Sequence, residues 1–438
     1  MLCPHTMSGQ TVGVLGLGGS GMAAVAALHA AGVTVFAHDD NKPDAALPNG
    51  TIANWHDWPW KKLDALVISP GIPHLHPAPH PAAARAQAED VAIISEVEIA
   101  LRAAPTAPLV VITGTNGKST TTALIGHCLT MAGKAVAVGG NIGRPACSLD
   151  DPGPDGVIVL ELSSYQLETT PALAPNIAVI LNITPDHLDR HAGMNGYIAA
   201  KSRALEALPA DGTAILGQSD ITVTQLARDC IKRGVTTLLA TPDKAPAGRQ
   251  HCLALRGDHN AENAAAAALV LRELSLSADQ IDQGMASFAG LPHRLQPVAT
   301  IGPISFVNDS KATNGTAAAT ALATFSHIYW VAGGLAKDDG LDAVMPHICN
   351  VEKAYLIGSS ATAFASQLQG HCPTAMYRNL DDATYAAFDD ARNSHTGGTI
   401  LLAPAAASFD QFANFAARGD AFCQIANTLC SRTGDAYA

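Results

Sequence analysis

The most informative segment of the chain is Val110-Val111-Ile112-Thr113-Gly114-Thr115-Asn116-Gly117-Lys118-Ser119-Thr120. Its apolar, β-branched first half predicts a buried strand. Gly114 and Gly117 then predict a tight loop, because glycine lets backbone N–H groups turn inward around an anion. A helix from about Ser119 to Met131 follows, and its positive dipole end points at the same loop. We therefore expect an anion site at this strand-to-helix junction.

The side chains after the loop indicate which anion it binds. Lys118 supplies a point charge, and Ser119 offers a hydroxyl to a magnesium ion, as in nucleoside triphosphate sites. Ile112 stands where the first glycine of the full phosphate-loop pattern would be, so the match is partial. The simpler alternative is a glycine turn that binds no ligand. Because glycine, lysine and hydroxyl all fall in register, the phosphate site is the favoured interpretation.

The composition limits the class of protein. A chain of 438 residues, 48% of them hydrophobic, is long enough for two to four domains with their own cores. The formal net charge is -12, and no run of basic residues interrupts the sequence. We therefore expect no nucleic-acid partner, and isolated basic residues are better candidates for binding small anions.

The cysteines and the hydropathy pattern indicate the compartment. The nine cysteines are scattered, and none forms a C-x-x-C pair, which is typical of reduced thiols and argues against a zinc site or a disulfide framework. No apolar run reaches the roughly 18 residues that a membrane span needs. We expect a cytoplasmic protein without a membrane span, and a monomer.

Strand patterns alternate with helical patterns along the whole chain, which predicts the α/β class with mostly parallel sheets. We expect three domains: a Rossmann-like domain at 1–104, a P-loop-type domain at 105–290 and a second Rossmann-like domain at 291–438. The alanine- and proline-rich stretch Ala103–Pro108 predicts the first linker. The predicted strands are 11–15, 33–37, 65–68, 91–94, 109–113, 135–138, 157–160, 177–182, 304–308, 328–332, 354–357 and 400–402.

A second glycine loop lies near the start of the chain. Gly16-Leu17-Gly18-Gly19-Ser20-Gly21 satisfies G-x-G-x-x-G after a predicted strand, and Asp39 ends the next strand. This is the full fingerprint of a dinucleotide site. The residues alone leave three alternatives open: a nicotinamide dinucleotide, another nucleotide diphosphate such as a UDP-sugar, or a turn without a ligand. The triphosphate-type loop at Gly114 favours a nucleotide-linked substrate in the first domain and ATP in the second.

Two polar residues follow predicted strands of the second domain. Glu161 ends a buried strand, where a magnesium ligand belongs beside a phosphate loop, although a helix-capping glutamate is the commoner case. His187 follows the next strand, after Thr184 and Pro185, which are predicted to be the N-cap and first residue of a helix. Magnesium prefers oxygen ligands, so an ordinary hydrogen-bonding role for His187 is the alternative.

These motifs together resemble the Mur ligases of peptidoglycan synthesis along nearly the whole chain. The shared motifs are Gly114–Thr120, Glu161-Leu162-Ser163-Ser164, Asp186-His187-Leu188-Asp189, Asp258-His259-Asn260 and Pro292-His293-Arg294. The branch of the family that adds D-glutamate is indicated by Gly139–Gly143, Asn308–Asn314 and Ser408–Phe412. Sister branches generally carry a D-D-Y type motif where this chain has Asn308-Asp309-Ser310.

The resemblance implies a reaction. ATP would phosphorylate the carboxylate of UDP-N-acetylmuramoyl-L-alanine, and the amine of D-glutamate would attack the acyl phosphate to form an amide. The three domains would then bind the UDP-substrate, ATP and the amino acid, in chain order. Three alternatives are kept: a related ATP-dependent ligase of the folylpolyglutamate synthase type, a nicotinamide-dependent oxidoreductase, and a nucleotide-binding regulator without catalysis.

The resemblance also implies roles for matching residues. Lys118, His187, Lys201 and Asn141 would be catalytic. Two magnesium ions would be held by Ser119, Glu161, His187 and Lys201, with Lys201 carbamylated. ATP would contact Gly114, Thr115, Asn116, Gly117, Lys118, Ser119, Thr120, Asn263, Arg294 and Asp309. The UDP-substrate would contact Gly18, Gly19, Ser20, Asp39 and Asn141, and D-glutamate would contact Lys311, Thr313, Lys337, Ser408 and Phe415.

The chain departs from the family pattern at a few positions. Where the family often has threonine and arginine after the domain-one aspartate, this chain has Asp40-Asn41, so an arginine contact to the uridine is missing or comes from elsewhere. Ala406 replaces a frequent cysteine and Phe409 a frequent leucine, which affects the expected shape of the D-glutamate pocket.

Overall fold

The computed structural model describes residues 1–42, 47, 51–218, 220–336, 340–394 and 396–433. Within these residues the chain forms two compact units, Met1–Gly248 with Asn260–Met285, and Arg249–His259 with Ala286–Ala438. The first unit holds two large sheets and the second unit holds one. The α/β class and the mostly parallel sheets are confirmed.

The first sheet has five parallel strands in the order β3-β2-β1-β4-β5. This order reverses direction at β1, and such a switch point leaves a crevice at the carboxyl ends of the strands, where the glycine loop lies. The elements are β1 (Thr11–Leu15), α1 (Gly19–Ala30), β2 (Thr34–His38), β3 (Thr51–Ile52), β4 (Ala65–Ile68), α2 (Pro81–Ala88), β5 (Ala92–Ile94) and α3 (Glu96–Arg102).

The second sheet has six parallel strands in the order β11-β10-β9-β6-β8-β7. Its central strand, β6, is fully buried because helices cover both faces. The elements are β6 (Leu109–Thr113), α4 (Lys118–Met131), β7 (Val136–Gly140), β8 (Val157–Glu161), α5 (Ser164–Glu168), β9 (Ile177–Ile180), α6 (Met194–Glu206), β10 (Thr213–Gly217), α7 (Ile221–Lys232), β11 (Thr236–Ala240), α8 (Asp258–Glu273) and α9 (Ala278–Ala286).

The third sheet, in the second unit, has the order β12-β13-β18-β14-β16-β17. Only β12 runs antiparallel among its described strands. The elements are β12 (Gln296–Ile301), β13 (Ile304–Asn308), α10 (Gly315–Thr324), β14 (Ile328–Gly333), β15 (Leu335–Ala336), β16 (Val351–Ile357), α11 (Ala361–Gln367), β17 (Thr374–Met376), α12 (Leu380–Asn393), β18 (Gly398–Leu402), β19 (Ala406–Ala407) and α13 (Phe415–Thr433). The short strands β15 and β19 pair with each other.

Each sheet is buried on both faces. In β14, Trp330 packs into one apolar cluster of the second unit, while Tyr329 and Val331 pack into the other. Alternate residues of a strand point to opposite faces, so this division follows directly from the strand period. Loops at the carboxyl ends of the strands are therefore left to form binding sites.

Most predicted strands are found within one to three residues of their expected ends. The patterns did not predict the edge strands β3, β11, β12 and β17, the inner strand β10, or the pair β15 and β19. The helix expected from about Ser119 begins one residue earlier, at Lys118.

Candidate active site

The phosphate loop connects the fully buried strand β6 to helix α4. Gly117 is the residue before the helix and has a left-handed backbone (φ 83°), which favours glycine. A Cβ atom on Gly117 would lie 2.3 Å from Oδ1 of Asn263. Asn263 in turn donates to Oδ1 of Asn260 over 3.1 Å, and both side chains are buried. The predicted ATP residue Asn263 therefore lies directly against the loop.

The end of β9 holds the other side of this loop. The N–H of Thr115 donates to the carbonyl oxygen of Asn182 over 2.8 Å, and the N–H of Asn116 donates to Asn182 Oδ1 over 2.8 Å. Thr115 Oγ1 also bonds the backbone of Thr184. Two successive loop residues, Thr115 and Asn116, are thus held in place by the end of β9, which preorganises the loop.

Glu161 is the last residue of β8, and its side chain is only 1% exposed. The register pairs Glu161 with Ile112 of β6 on one side and with Gly140 of β7 on the other. Asn141 follows Gly140, and its amide Nδ2 donates to Glu161 Oε1 over 2.9 Å. The second carboxylate oxygen, Oε2, is buried and has no hydrogen-bond partner.

An unpartnered carboxylate oxygen is costly to bury unless a cation is bound there. Glu161 Oε2 therefore fits a divalent ion beside the phosphate loop, with the buried Ser119 of α4 as a second oxygen donor. In the described part of the chain, no three His, Cys, Asp or Glu side chains converge as a metal cage. The expected ligand set includes only two such residues, Glu161 and His187, so this finding does not test it.

Two lysines converge on the loop. Lys118 Nζ donates to the carbonyl oxygens of Gly114 (2.9 Å) and Thr115 (2.7 Å). Lys201, on helix α6 and only 2% exposed, donates to the same Gly114 oxygen over 2.7 Å. Burial, together with the charge of Lys118, lowers the pKa of Lys201 well below its usual value. Its amine therefore loses its proton more easily than that of an exposed lysine.

His187 lies in a left-handed conformation (φ 51°) immediately before a short 3₁₀ helix, Leu188–His191. The expectation that Thr184 and Pro185 begin a helix is wrong, because neither residue is helical and the backbone of Thr184 bonds the Thr115 hydroxyl instead. The His187 side chain is about half exposed, 3.5 Å from an Asp186 oxygen.

Side chains that the sequence analysis did not single out connect the short 3₁₀ helix Leu188–His191 to the loop after β4 of the first sheet. Arg190 donates from Nη1 to the carbonyl oxygen of Gly71 over 3.1 Å and lies 4.5 Å from the ring centroid of Tyr165. Tyr165 stacks on the ring of His191, which bonds Glu168 over 3.0 Å. Only proximity in space links these residues, so the sequence offers no signal for the cluster.

The glycines in the loop of the first sheet have two different roles: one is needed for packing, and others leave space for a ligand. A Cβ on Gly21 would lie 1.8 Å from the Gly16 carbonyl oxygen, so the last glycine is required by packing alone. By contrast, a Cβ on Gly18 or Gly19 would meet open space at the start of α1. The predicted substrate residues Gly18, Gly19 and Ser20 therefore begin a helix whose N-terminus is open to an anion.

Asp39 is oriented toward this loop. Its carboxylate accepts from the N–H of Leu17 (2.6 Å) and of Asn41 (2.9 Å). Burial would raise the pKa of Asp39, but these hydrogen bonds outweigh burial and the pKa is lowered. The neighbouring Asp40 binds His38 and His80 through its two oxygens. Asp40 thus takes histidine partners at the place where the family often has threonine.

In the second unit, two predicted amino-acid-binding residues meet. Lys311 Nζ lies 4.3 Å from the ring centroid of Phe415, a cation–π contact. The N–H of Thr313 donates to the Lys311 carbonyl oxygen over 2.8 Å, and Ser408 is buried. Lys337 lies outside the described residues.

Asp309 follows β13 and is buried. Burial raises its pKa to about 7, against the opposing effects of the Leu295 N–H and the charge of Arg294. Asp309 Oδ1 accepts from Leu295 N over 3.1 Å. The two residues predicted to contact ATP from this unit, Arg294 and Asp309, thus interact electrostatically.

Comparison with known proteins decides the family. A profile described as the Mur ligase middle domain matches residues 112–253, and one described as the Mur ligase glutamate ligase domain matches residues 293–406. UDP-N-acetylmuramoylalanine–D-glutamate ligase of Rhodopseudomonas palustris (strain HaA2) is 42% identical over 98% of both chains. The protein of that name from Agrobacterium fabrum is 40% identical over 96% of both chains.

This chain belongs to the Mur ligase family.

Solved Mur ligases share its fold at low identity. UDP-N-acetylmuramate-alanine ligase from Thermotoga maritima has a TM-score of 0.60 and is 17% identical, and the match covers 97% of this chain and 99% of that chain. A pseudomurein peptide ligase type C from Methanothermus fervidus has a TM-score of 0.55 at 17% identity, over 96% and 100% of the two chains.

The family membership confirms both the resemblance drawn from the motifs and the prediction of a ligase. Mur ligases form amide bonds, depend on ATP and use Mg²⁺. No helix of the Mur ligase chain, over its described residues, combines the length and apolar character needed to cross a membrane.

Proposed function

We propose that this Mur ligase joins D-glutamate to UDP-N-acetylmuramoyl-L-alanine at the expense of ATP, a cytoplasmic step of peptidoglycan synthesis. The observation that carries the proposal is the identity of about 40% with ligases of that name over nearly the entire chain. The buried Glu161 and Lys201 beside the phosphate loop support it. We expect the protein to act as a monomer.

The chemistry needs two group transfers. A carboxylate oxygen of the UDP-substrate attacks the γ-phosphorus of ATP, and the bond from that phosphorus to ADP breaks. The D-glutamate nitrogen then attacks the acyl carbon, phosphate leaves through a tetrahedral intermediate, and the nitrogen loses a proton. A carboxylate is a poor electrophile, so phosphorylation supplies the leaving group. Catalysis depends on positioning and charge neutralisation, because several anionic oxygens meet at one place.

We assign ATP to the phosphate loop, with Lys118 neutralising the γ-phosphate. The further ATP residues are Asn263, Arg294 and Asp309. Asn263 has the strongest structural support, since it touches the loop at Gly117. Asn141 has two partners in this scheme: it fixes Glu161 and faces the reacting end of the UDP-substrate.

We assign two magnesium ions to Ser119, Glu161, His187 and a carbamylated Lys201. The fit is supported by the unpartnered oxygen of Glu161. Bound magnesium supplies positive charge to the phosphate oxygens during transfer.

Carbamylation of Lys201 is supported by its burial and by its neighbour Lys118. The neutral amine of Lys201 adds to the carbon of CO₂, a new N–C bond forms, and one proton leaves the nitrogen. The product is an anion beside the Lys118 ammonium, so a repulsive pair becomes an attractive one.

We assign the UDP-substrate to residues beside the first sheet and D-glutamate to residues beside the third sheet. Gly18, Gly19, Ser20 and Asp39 would contact the UDP-substrate, and Lys311, Thr313, Lys337, Ser408 and Phe415 would surround the two carboxylates of D-glutamate. The corresponding domains are 1–104 for the UDP-substrate, 105–290 for ATP and 291–438 for the amino acid.

The test is phosphate release with UDP-N-acetylmuramoyl-L-alanine, ATP and a panel of amino acids. We expect release to depend on D-glutamate and not on L-glutamate. A folate substrate replacing the UDP-substrate is the control for the folylpolyglutamate alternative, and NAD reduction is the control for an oxidoreductase. Phosphate release that does not depend on D-glutamate would contradict the proposal. ATP binding without turnover would indicate a nucleotide-binding regulator.

A further inference from the structure

Arg418 of helix α13 is among the most deeply buried charged side chains of the second unit, with 1% of its surface exposed. Its guanidinium makes four hydrogen bonds. Nε donates to Ser310 Oγ (3.0 Å), and Nη2 donates to the carbonyl oxygens of Ser310 (2.9 Å) and Ala406 (3.0 Å). Nη1 donates to the carbonyl oxygen of Gly333 over 3.4 Å.

The acceptors of Arg418 lie in three segments at or just beyond the carboxyl ends of strands of the third sheet. Ser310 follows β13, Gly333 ends β14, and Ala406 follows β18. These three strands are neighbours in the order β13-β18-β14 and run parallel. One side chain therefore ties together three loops that are remote in sequence.

Two of these segments carry residues assigned to the amino acid. Lys311 and Thr313 follow Ser310 by one and three residues, and Ser408 comes two residues after Ala406. Phe415 begins the helix of Arg418, and its carbonyl oxygen accepts from Ser310 Oγ over 2.8 Å. Any displacement of Ser310 is thus transmitted to both sides of the cation–π contact between Lys311 and Phe415.

The segment after β14 is closely packed at Gly334. Gly334 has φ 137°, and a Cβ there would lie 2.2 Å from the Ala407 carbonyl oxygen. Its own carbonyl oxygen accepts from Ser359 Oγ (3.0 Å) and from the N–H of Ser360 (2.9 Å). The contact from Arg418 to the preceding Gly333 therefore acts on a closely packed segment.

Arg418 acts through these neighbours and not on the substrate itself. Four of its five N–H groups already donate to protein oxygens. All of these acceptors are neutral, and among the described residues no carboxylate lies within ion-pair distance of the guanidinium. Burial lowers the pKa of Arg418 to about 10, while the charge of Asp410 opposes this effect. The group stays protonated at neutral pH.

We propose that Arg418 is a positioning residue that holds the loops after β13, β14 and β18 in the arrangement that receives the amino-acid substrate. This rests on the proposed function, which assigns that substrate to these loops. If the loops loosen, fewer molecules are competent to bind, and the KM for the amino acid rises in proportion. The KM for the UDP-substrate, which is assigned to the first unit, stays unchanged.

Three variants test this inference. Arg418→Lys keeps the charge but loses the planar fork that reaches three loops. Ser310→Ala removes one acceptor of the guanidinium and is mild enough to fold. Ser305→Ala is the matched control: Ser305 lies near the start of β13, the strand that Ser310 follows, and its hydroxyl bonds the Thr399 hydroxyl over 3.2 Å. For each folded variant, kcat and the KM of all three substrates are measured by phosphate release.

The wild type is first assayed with the amino-acid panel, and the KM is then measured for whichever amino acid it uses. Lack of D-glutamate use by the wild type would count against the proposed function alone. We expect the amino-acid KM to rise about tenfold or more in Arg418→Lys, several-fold in Ser310→Ala and not in Ser305→Ala. The inference is overturned if folded Arg418→Lys has an amino-acid KM within twofold of wild type. It is also overturned if the KM values of all three substrates change equally. If Arg418→Lys does not fold, Ser310→Ala and Ser305→Ala decide by the same criterion.

Discussion

The ammonium groups of Lys118 and Lys201 share one acceptor, the carbonyl oxygen of Gly114, at 2.9 and 2.7 Å. Two like charges at one oxygen repel each other, and Lys201 is also buried, so its charged form is disfavoured. Of the two lysines, Lys201 is thus the one whose amine loses its proton more easily and is open to modification. This relationship explains why the two residues are expected to have different roles although both are lysines.

Removal of bicarbonate is expected to slow the enzyme, and added bicarbonate is expected to restore it. The physical reason is that carbamylation of Lys201 is reversible and needs CO₂. Phosphate release in CO₂-depleted buffer measures the effect, and mass spectrometry under native conditions detects the added mass.

The control for this prediction is Lys201→Ala, which should be slow at every bicarbonate concentration. Full activity in depleted buffer, with an unmodified amine found by mass spectrometry, would refute carbamylation.

Lys118→Ala is expected to lower kcat by about 100-fold or more, because a charge aimed at the transferring phosphate is lost. The KM for the UDP-substrate should change little. Steady-state phosphate release gives both values. Lys134→Ala removes an exposed lysine three residues after the same helix and should have no effect. Equal kcat values for Lys118→Ala and wild type would exclude the assigned role.

Gly117→Ala is expected to raise the KM for ATP about tenfold or more, since the new Cβ would collide with Asn263 at 2.3 Å. Gly133→Ala is the matched control. Gly133 also has a positive φ (75°), but a Cβ there meets nothing within 4 Å. Both variants therefore carry similar backbone strain, of about 1–2 kcal/mol. If both raise the KM for ATP equally, the contact with Asn263 has no part in binding.

The stability of the first unit is expected to depend on Glu96. Burial raises the pKa of Glu96 to about 7 from its usual 4.5, although the N–H of Cys147 donates to its carboxyl. Between these two values the folded state binds the proton that the unfolded state releases. The free energy of unfolding therefore falls as the pH rises from about 4.5 to about 7, by at most about 3 kcal/mol for this group.

Glu96→Gln should remove this contribution and flatten the pH dependence. Urea unfolding at about pH 5, 6 and 7.5 measures the slope for wild type and variant. Asp309, also with a pKa raised to about 7, titrates in the same range, but it is common to both proteins. The exposed Glu89→Gln serves as the control. Parallel curves for wild type and Glu96→Gln would show that Glu96 ionises normally in the folded protein.

The phosphate loop could be predicted from sequence because all of its parts are contiguous. Strand, glycines, lysine and hydroxyl follow one another from Val110 to Thr120, so local backbone rules are sufficient. The same holds for Glu161 at a strand end. The edge strands were harder, because a short edge strand such as β11 is only partly buried and its apolar pattern is weak.

The helix expected at Thr184 illustrates the limit of local rules. Threonine followed by proline is a good helix start in isolation. Here the hydroxyl of Thr115, nearly 70 residues earlier, bonds both backbone groups of Thr184, and the next helical turn begins only at Leu188. Tertiary hydrogen bonds therefore override the local preference.

The α/β class, the phosphate loop and, through the ordered motifs, the family could be predicted from the sequence, because they depend on neighbours along the chain. The folded chain was needed to show that Asn263 contacts Gly117, that Lys118 and Lys201 share the Gly114 oxygen, and that Arg418 joins three loops. Each of these contacts links residues far apart in sequence. Their strength comes from burial, where unpaired charges and donors are costly, and burial is a property of the folded chain alone.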